Sequence, residues 1–216
     1  MTEAATLRVD AAVAGIVRPA SGVLAPVRVV ARESLMDAPL EAAAAAMRRL
    51  AEAPERTAAV RTMYKRVGID PTKTRPSSEA LLRRVRKGDP IPRINSLVDV
   101  VNWTSLETQL PFGLYDLDAI ETEAGTVALR LGRDGEAYPG IRKDAVHVGG
   151  RLVLADALGA FGNPTSDSAR TMVTERTTRA LVVIFAPVDV PAAEADRALA
   201  LTRERAERFC APRPPA

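Results

Sequence analysis

Apolar and polar positions follow two rhythms along this chain, helical up to about residue 110 and strand-like from about 126 to 187. Pro39 to Ala53 is rich in Ala, Leu, Met and Arg, which predicts a helix with Pro39 in its first turn. Pro54 interrupts it, and a second helix is expected from about Arg56 to Val67, ended by Gly68. The run Pro71-Thr72-Lys73-Thr74-Arg75-Pro76 reads as a loop. A short basic helix follows from Ser77 to Lys87, with Leu81, Leu82 and Val85 inward and Gly88 and Asp89-Pro90 closing it. Ile94, Leu97, Val98, Val101 and Leu106 then recur at helical spacing. Opposite them, Asn95, Asp99 and Asn102 form one polar stripe, which by periodicity alone is a solvated face.

The second half reads as strands. Thr126–Leu131, Ala145–Val148 and Arg151–Ala155 carry strand patterns, with Gly132, Gly140 and Gly149-Gly150 as turn points. Leu181–Phe185 is wholly apolar and predicts a buried central strand. A helix is expected from about Ala192 to Phe209, after Pro191, and then a frayed tail from Ala211 to Ala216. Near the N-terminus, Val13–Ala20 and Val27–Ala31 read as two further strands separated by Ser21-Gly22. With no internal repeat, this pattern predicts an α+β fold in one domain over 1–216. That domain would have a helical half at about 39–110, a strand-rich half at about 126–187 and a C-terminal helix at about 192–209.

Composition narrows the function classes. No apolar run approaches the roughly 20 residues of a membrane span. Met1-Thr2-Glu3-Ala4-Ala5 lacks a basic region followed by an apolar one, so a cytoplasmic protein is expected. One histidine and one cysteine exclude a His/Cys zinc cluster, and no metal or other cofactor is expected. The net charge of +3 is unevenly placed. Between Arg61 and Arg93, ten basic residues face only Asp70, Glu79 and Asp89, giving +7 there and −4 elsewhere. Lys73, Arg75, Arg83, Arg84, Arg86 and Lys87 are the candidate RNA-binding residues of this stretch. Such a cluster suits phosphate-backbone binding and equally suits a solvated helix face.

Candidate chemistry gathers in the Asn163–Thr171 loop. Thr165, Ser166, Ser168 and Thr171 offer hydroxyls, Asp167 a carboxylate that could hold an ammonium, and Arg170 a cation for a phosphate or carbonyl oxygen. The same residue types also build an ordinary capped turn. His147 lies in an alternating strand with nothing in the sequence to place a serine beside it, and Cys210 is a weaker nucleophile candidate still. Of eight aromatic residues, Trp103, Phe112, Tyr115 and Phe161 fall in or beside the two most distinctive stretches, where they could stack on a base or fill a core.

Those two stretches carry a resemblance. Ile94-Asn95-Ser96-Leu97-Val98-Asp99-Val100-Val101-Asn102-Trp103-Thr104-Ser105-Leu106-Glu107, continued by Gln109 to Ile120, resembles a signature of the B3/B4 domain in the β subunit of phenylalanyl-tRNA synthetase. That domain hydrolyses tRNA charged with the wrong amino acid. Arg75–Val85 is similar to the segment preceding the signature in stand-alone B3/B4 proteins. Gly162–Glu175 with Leu181–Ile184 resembles the domain's second signature, so the matches run from about Arg75 to Phe185. The resemblance implies a pocket in which Asn102, Trp103, Phe112, Gly113, Gly162, Asn163, Thr165 and Thr171 bind substrate and Ser166, Asp167, Ser168 and Arg170 carry the chemistry. Gly113 stands where the synthetase has a histidine, and Gly162-Asn163 where it has a Gly-Gly-Glu. Three function classes follow: a trans-acting, metal-independent hydrolase of mischarged aminoacyl-tRNA, a non-catalytic module binding RNA or an aminoacyl group, and a pocket for a free amino acid-like metabolite.

Overall fold

Among the described residues one strand, Ala180–Ile184, has every residue buried, and it is the middle strand of its sheet, because an all-apolar strand needs cover on both faces. A computed structural model describes residues 6–122 and 125–212. In chain order the elements are β1 (Thr6–Val9), α1 (Ala11–Ala14), β2 (Ala20–Leu24), α2 (Asp37–Arg49), α3 (Glu55–Arg66), α4 (Ser77–Arg86) and α5 (Ser96–Thr108). They continue with β3 (Phe112–Asp116), β4 (Thr126–Leu131), β5 (Ala137–Gly140), β6 (Lys143–His147), β7 (Leu152–Asp156), β8 (Gly159–Gly162), β9 (Ala180–Ile184) and α6 (Ala192–Cys210). The N-terminal segment 1–5 and the end of the expected tail, 213–216, lie outside the described residues.

The described residues form three sheets. One is antiparallel in the order β2-β9-β3, with Tyr115 opposite Leu181 and Phe112 opposite Ile184. A second runs β1-β4-β7-β8, with β1 and β4 parallel, and β5 and β6 form a hairpin. Buried residues of α2, α3, α4, α5 and α6 join those of β2, β3, β4, β7 and β9 in one contiguous apolar cluster. The fold is α+β.

The helices form where periodicity, caps and breakers agree. Asn95 caps α5, its Oδ1 accepting the Val98 N–H at 2.9 Å. Gln109 ends that helix in the left-handed region (φ 55°), and its buried amide donates to the Leu106 carbonyl at 2.7 Å. Helix α4 buries Leu81, Leu82 and Val85, as its spacing predicts.

The N-terminal strands are corrected. Residues 11–14, overlapping the start of the expected Val13–Ala20 strand, instead form the short helix α1, capped by Asp10, whose carboxylate accepts the Ala12 N–H at 2.9 Å. The strand begins at Ala20 and runs through Ser21-Gly22, which pair with Val183 and Val182 of β9, and the Arg203 guanidinium packs on Gly22, where a Cβ would lie 2.3 Å from its Nη2. Val27–Ala31 joins no sheet. Its backbone groups are taken by the Thr178 and Cys210 carbonyls and the Ser96 hydroxyl. Gly140, read as a turn point, is the last residue of β5.

Candidate functional site

Val98, Val101, Asn102 and Ser105 fall at i, i+3, i+4 and i+7 on α5, so they share one helix face. That face lines a cavity of about 350 Å³. Phe112 and Leu114 of β3 form a second wall, and Ile141 and Arg142 of the β5–β6 turn a third. Asn163, Pro164, Thr165 and Asp167 close it from the loop after β8, with Ser77 at the start of α4. The expected solvated stripe is therefore not solvated: Asn95 and Asp99 are buried and Asn102 faces the cavity.

The loop is pinned by tyrosines. Asn163 Oδ1 accepts the N–H groups of Thr165 and Ser166 at 2.8 and 2.9 Å, and its Nδ2 donates to the Tyr138 hydroxyl at 3.0 Å. That hydroxyl donates in turn to the Ser166 carbonyl at 2.6 Å. Tyr64, fully buried on α3, donates to the Pro164 carbonyl at 2.8 Å and meets Thr165 Oγ1 at 3.0 Å. Burial holds the Tyr64 and Tyr138 phenols well above their ordinary pKa.

Against this satisfied scaffold, two lining residues carry enclosed oxygens without partners, Ser77 Oγ and Asp167 Oδ1. Natural proteins pair nearly all such atoms, so the exceptions need a reason. Burial pushes the Asp167 carboxyl up to about 7, opposed only by the neighbouring Tyr115 hydroxyl. Arg142 stands exposed at the rim in the left-handed region (φ 57°), a conformation that a residue with a Cβ adopts at a cost. The cavity thus offers one carboxyl, one guanidinium, a free hydroxyl and the Asn102 amide, among largely apolar walls.

Of the residues expected from the sequence, Asn102, Phe112, Asn163, Thr165 and Asp167 come together here, although the polar atoms of Asn163 are committed to the loop. Gly113 and Gly162 lie behind the wall, packed on the Tyr115 ring. Ser168 is buried, its Oγ accepting the Arg170 N–H at 3.1 Å, and Thr171 is fully buried. Ser166 lies beside the cavity without lining it. Arg170 is not brought to the cavity. Its guanidinium forks onto Asp156 of β7 at 2.9 and 3.0 Å, a bidentate pair whose carboxylate side chain is fully buried. Trp103 is also elsewhere: its Nε1 donates to Glu107 at 2.8 Å, and Arg205 of α6 stacks over its ring at 3.7 Å. His147 is exposed on β6.

Sequence reasoning missed Ser77, Ser105 and Arg142. Ser105 shares the helical spacing of Asn102 and could have been found. Nothing in the sequence marks a hairpin-turn arginine.

The basic residues line a separate groove of about 570 Å³ between α3 and α4, which includes Arg75, Arg83, Arg86 and Lys87 but not Lys73 or Arg84. Glu79 pairs with both Arg61 and Arg75, at 2.8 and 3.3 Å. Arg84 donates to the Pro90 carbonyl, and Arg86 to those of Leu50 and Glu52. Among the described residues there is no cluster of three or more metal-ligating side chains, and no helix is long and apolar enough to cross a membrane.

Comparison with known proteins completes the picture. The phenylalanine–tRNA ligase β subunit of Bartonella henselae is 29% identical over 118 residues, covering 54% of this chain and 14% of that protein. The chain therefore spans about a seventh of that relative. A crystal structure of an N-terminal fragment of the phenylalanyl-tRNA synthetase β subunit from Pyrococcus horikoshii aligns over 94% of this chain and 48% of the fragment, with 12% identity and a TM-score of 0.47. The profile of the B3/4 domain matches residues 59–213, most of the chain and all of the cavity walls, and this protein belongs to the B3/4 domain family.

Proposed function

We propose that the cavity between α5, β3 and the 163–167 loop receives the amino-acid end of an aminoacyl-tRNA and hydrolyses its ester in trans. The observation that carries this reading is the enclosed, unpartnered carboxylate oxygen of Asp167 on the wall of a mostly apolar cavity. A carboxyl poised near neutral pH suits a general base. Asp167 takes a proton from water, and the resulting hydroxide adds to the ester carbonyl. The tetrahedral intermediate then expels the ribose hydroxyl, which recovers the proton from Asp167. Products are the free amino acid and uncharged tRNA. The Ser77 hydroxyl, the Asn102 amide and Arg142 are the donors available to the oxyanion, and the apolar walls of Val98, Val101, Phe112 and Leu114 select the side chain. The basic α3–α4 groove would hold phosphates of the same tRNA. No step calls for a metal.

The test is turnover of several non-cognate aminoacyl-tRNAs by the wild-type chain and by Asp167→Asn. Release of the amino acid that disappears in the variant is the expected result. Absence of release from every substrate, with salt-sensitive tRNA binding retained, would favour a non-catalytic RNA-binding domain.

One observation favours a second reading. A single carboxyl and a single guanidinium in one cavity match the ammonium and carboxylate of a free amino acid. Calorimetric binding of free amino acids, lost in Arg142→Ala, would support it over the tRNA reading.

A further inference from the structure

Behind the cavity, on the face of β3 opposite Phe112 and Leu114, the Tyr115 ring folds back along its own strand. A Cβ added to Gly113 would lie 2.1 Å from the Tyr115 hydroxyl oxygen, and one added to Gly162 would lie 2.3 Å from it. The phenol therefore fills a slot that exists only because both positions are glycine. Tyr115 is fully buried and edge-on to Phe161, with ring centroids 5.0 Å apart. Its hydroxyl and the Asp167 carboxyl are neighbours, and both that hydroxyl and Asp167 Oδ1 are enclosed without a hydrogen bond of good geometry.

This is a poor arrangement for folding alone. Leaving a buried polar group unsatisfied costs about 1–3 kcal/mol, and phenylalanine at 115 would fill the same slot without that cost. The volume that a side chain at 113 would enter is instead given to a hydroxyl against Asp167. We propose that Tyr115 is the positioning residue for Asp167, its phenol backing the carboxyl so that the carboxylate's open side is aimed at the bound amino-acid end.

The groups around Asp167 can be named. Tyr115 faces it from β3, Tyr138 from β5 with its hydroxyl already engaged by Ser166 and Asn163, and Arg142 stands at the rim on the β5–β6 turn. The polar side chains that helix α5 brings to the cavity are Asn102 and Ser105, and α4 adds Ser77, all uncharged. The Tyr115 phenol is the group that favours the ionised carboxylate against burial. Removing its oxygen must therefore move the Asp167 midpoint up, away from the ordinary carboxylate range.

The inference rests on the proposed hydrolytic reading for its ligand, but its first test needs no ligand. Carboxyl carbon NMR of the full chain, with the Asp167 signal identified by its loss in Asp167→Asn, gives the midpoint directly. Tyr115→Phe is expected to raise it by about half a pH unit or more. Gly113→Ala, which displaces the phenol without removing it, should raise it too. If wild type hydrolyses a mischarged tRNA, the rising limb of its rate against pH should move by the same amount in Tyr115→Phe. An Asp167 midpoint that stays put or falls in Tyr115→Phe would overturn the positioning role, as would a rate limb that does not follow the midpoint. Lack of turnover by wild type would sink the hydrolytic reading instead, with the NMR midpoint still deciding the role of Tyr115.

Discussion

Two aspartates, one inside α5 and one in the loop that lines the cavity, are treated in opposite ways by the structure. Asp99, fully buried on α5, accepts the Ile94 N–H at 2.8 Å and the Arg93 Nε at 2.6 Å. Arg93 reaches on to Asp37 and to the Glu33 carbonyl, tying the start of α5 to that of α2. Burial raises the Asp99 pKa while these partners pull it down. Asp167 has the burial without the partners, and only a phenol of poor geometry behind it. A paired buried carboxylate is part of the architecture. An unpaired one at a cavity wall is a group held ready for a ligand.

The largest effects should separate the two in stability. Asp99→Ala leaves Arg93 short of a partner in a largely enclosed place, and breaking such a pair costs about 3–5 kcal/mol. Urea unfolding should show that loss for Asp99→Ala and little or none for Asp167→Ala. Equal losses would abolish the distinction. Since α5 and β9 contribute to one apolar cluster, their amides should also lose hydrogen-exchange protection together in Asp99→Ala.

Activity should show the reverse order. Asp167→Asn removes the base while keeping shape, and general-base catalysis is worth about 100- to 10,000-fold. Deacylation per folded molecule should fall at least about 100-fold in Asp167→Asn and stay near wild type in Asp99→Asn. Comparable losses in both would mean that Asp167 acts only through the fold.

How this contrast is written into the sequence is uneven. Helices α4, α5 and α6 and strand β9 were legible because periodicity, caps and burial agree along them. Strand β2 was not, because what makes Ser21-Gly22 a strand is its pairing with Val183 and Val182 of β9, some 160 residues away. The cavity was half legible. Asn102 and Asp167 stand out as polar residues within distinctive stretches. The fate of Arg170 depends on Asp156, a partner on another strand that no local pattern reveals. Asp99 and Asn102 share one polar stripe, yet only the fold makes one a strut and the other a lining residue. Glycine at 113 looks like a deletion of chemistry until the Tyr115 ring is seen to occupy the space.

The two aspartates also predict a pH signature of intermediate size. Asp167 holds its proton up to about pH 7 in the folded state but only to about 4 when unfolded. Folding therefore takes up a proton between those values. The resulting stabilisation is present below about pH 4 and is lost as pH rises through 7. Against Asp167→Asn, the wild type should lose about 1–2 kcal/mol across that window, less than the full shift implies because the side chain keeps partial exposure. A difference independent of pH would place the Asp167 midpoint in the ordinary range.

The smallest effect tests whether the contrast between engaged and open charge extends to α4. Arg84 and Arg86 donate to backbone carbonyls, whereas Arg83 and Lys87 have no ion pair among the described residues and line the groove. If the groove holds tRNA phosphates, Arg83→Ala with Lys87→Ala should weaken tRNA binding several-fold near physiological salt. Each lost phosphate contact should also lower the slope of log affinity against log salt by about 1. Arg84→Ala, removing a side chain that stands outside the groove, should alter that slope less. Filter-binding titrations over a range of salt would decide it, and equal slopes for wild type and the Arg83/Lys87 double variant would make the basic stretch a solvated helix face.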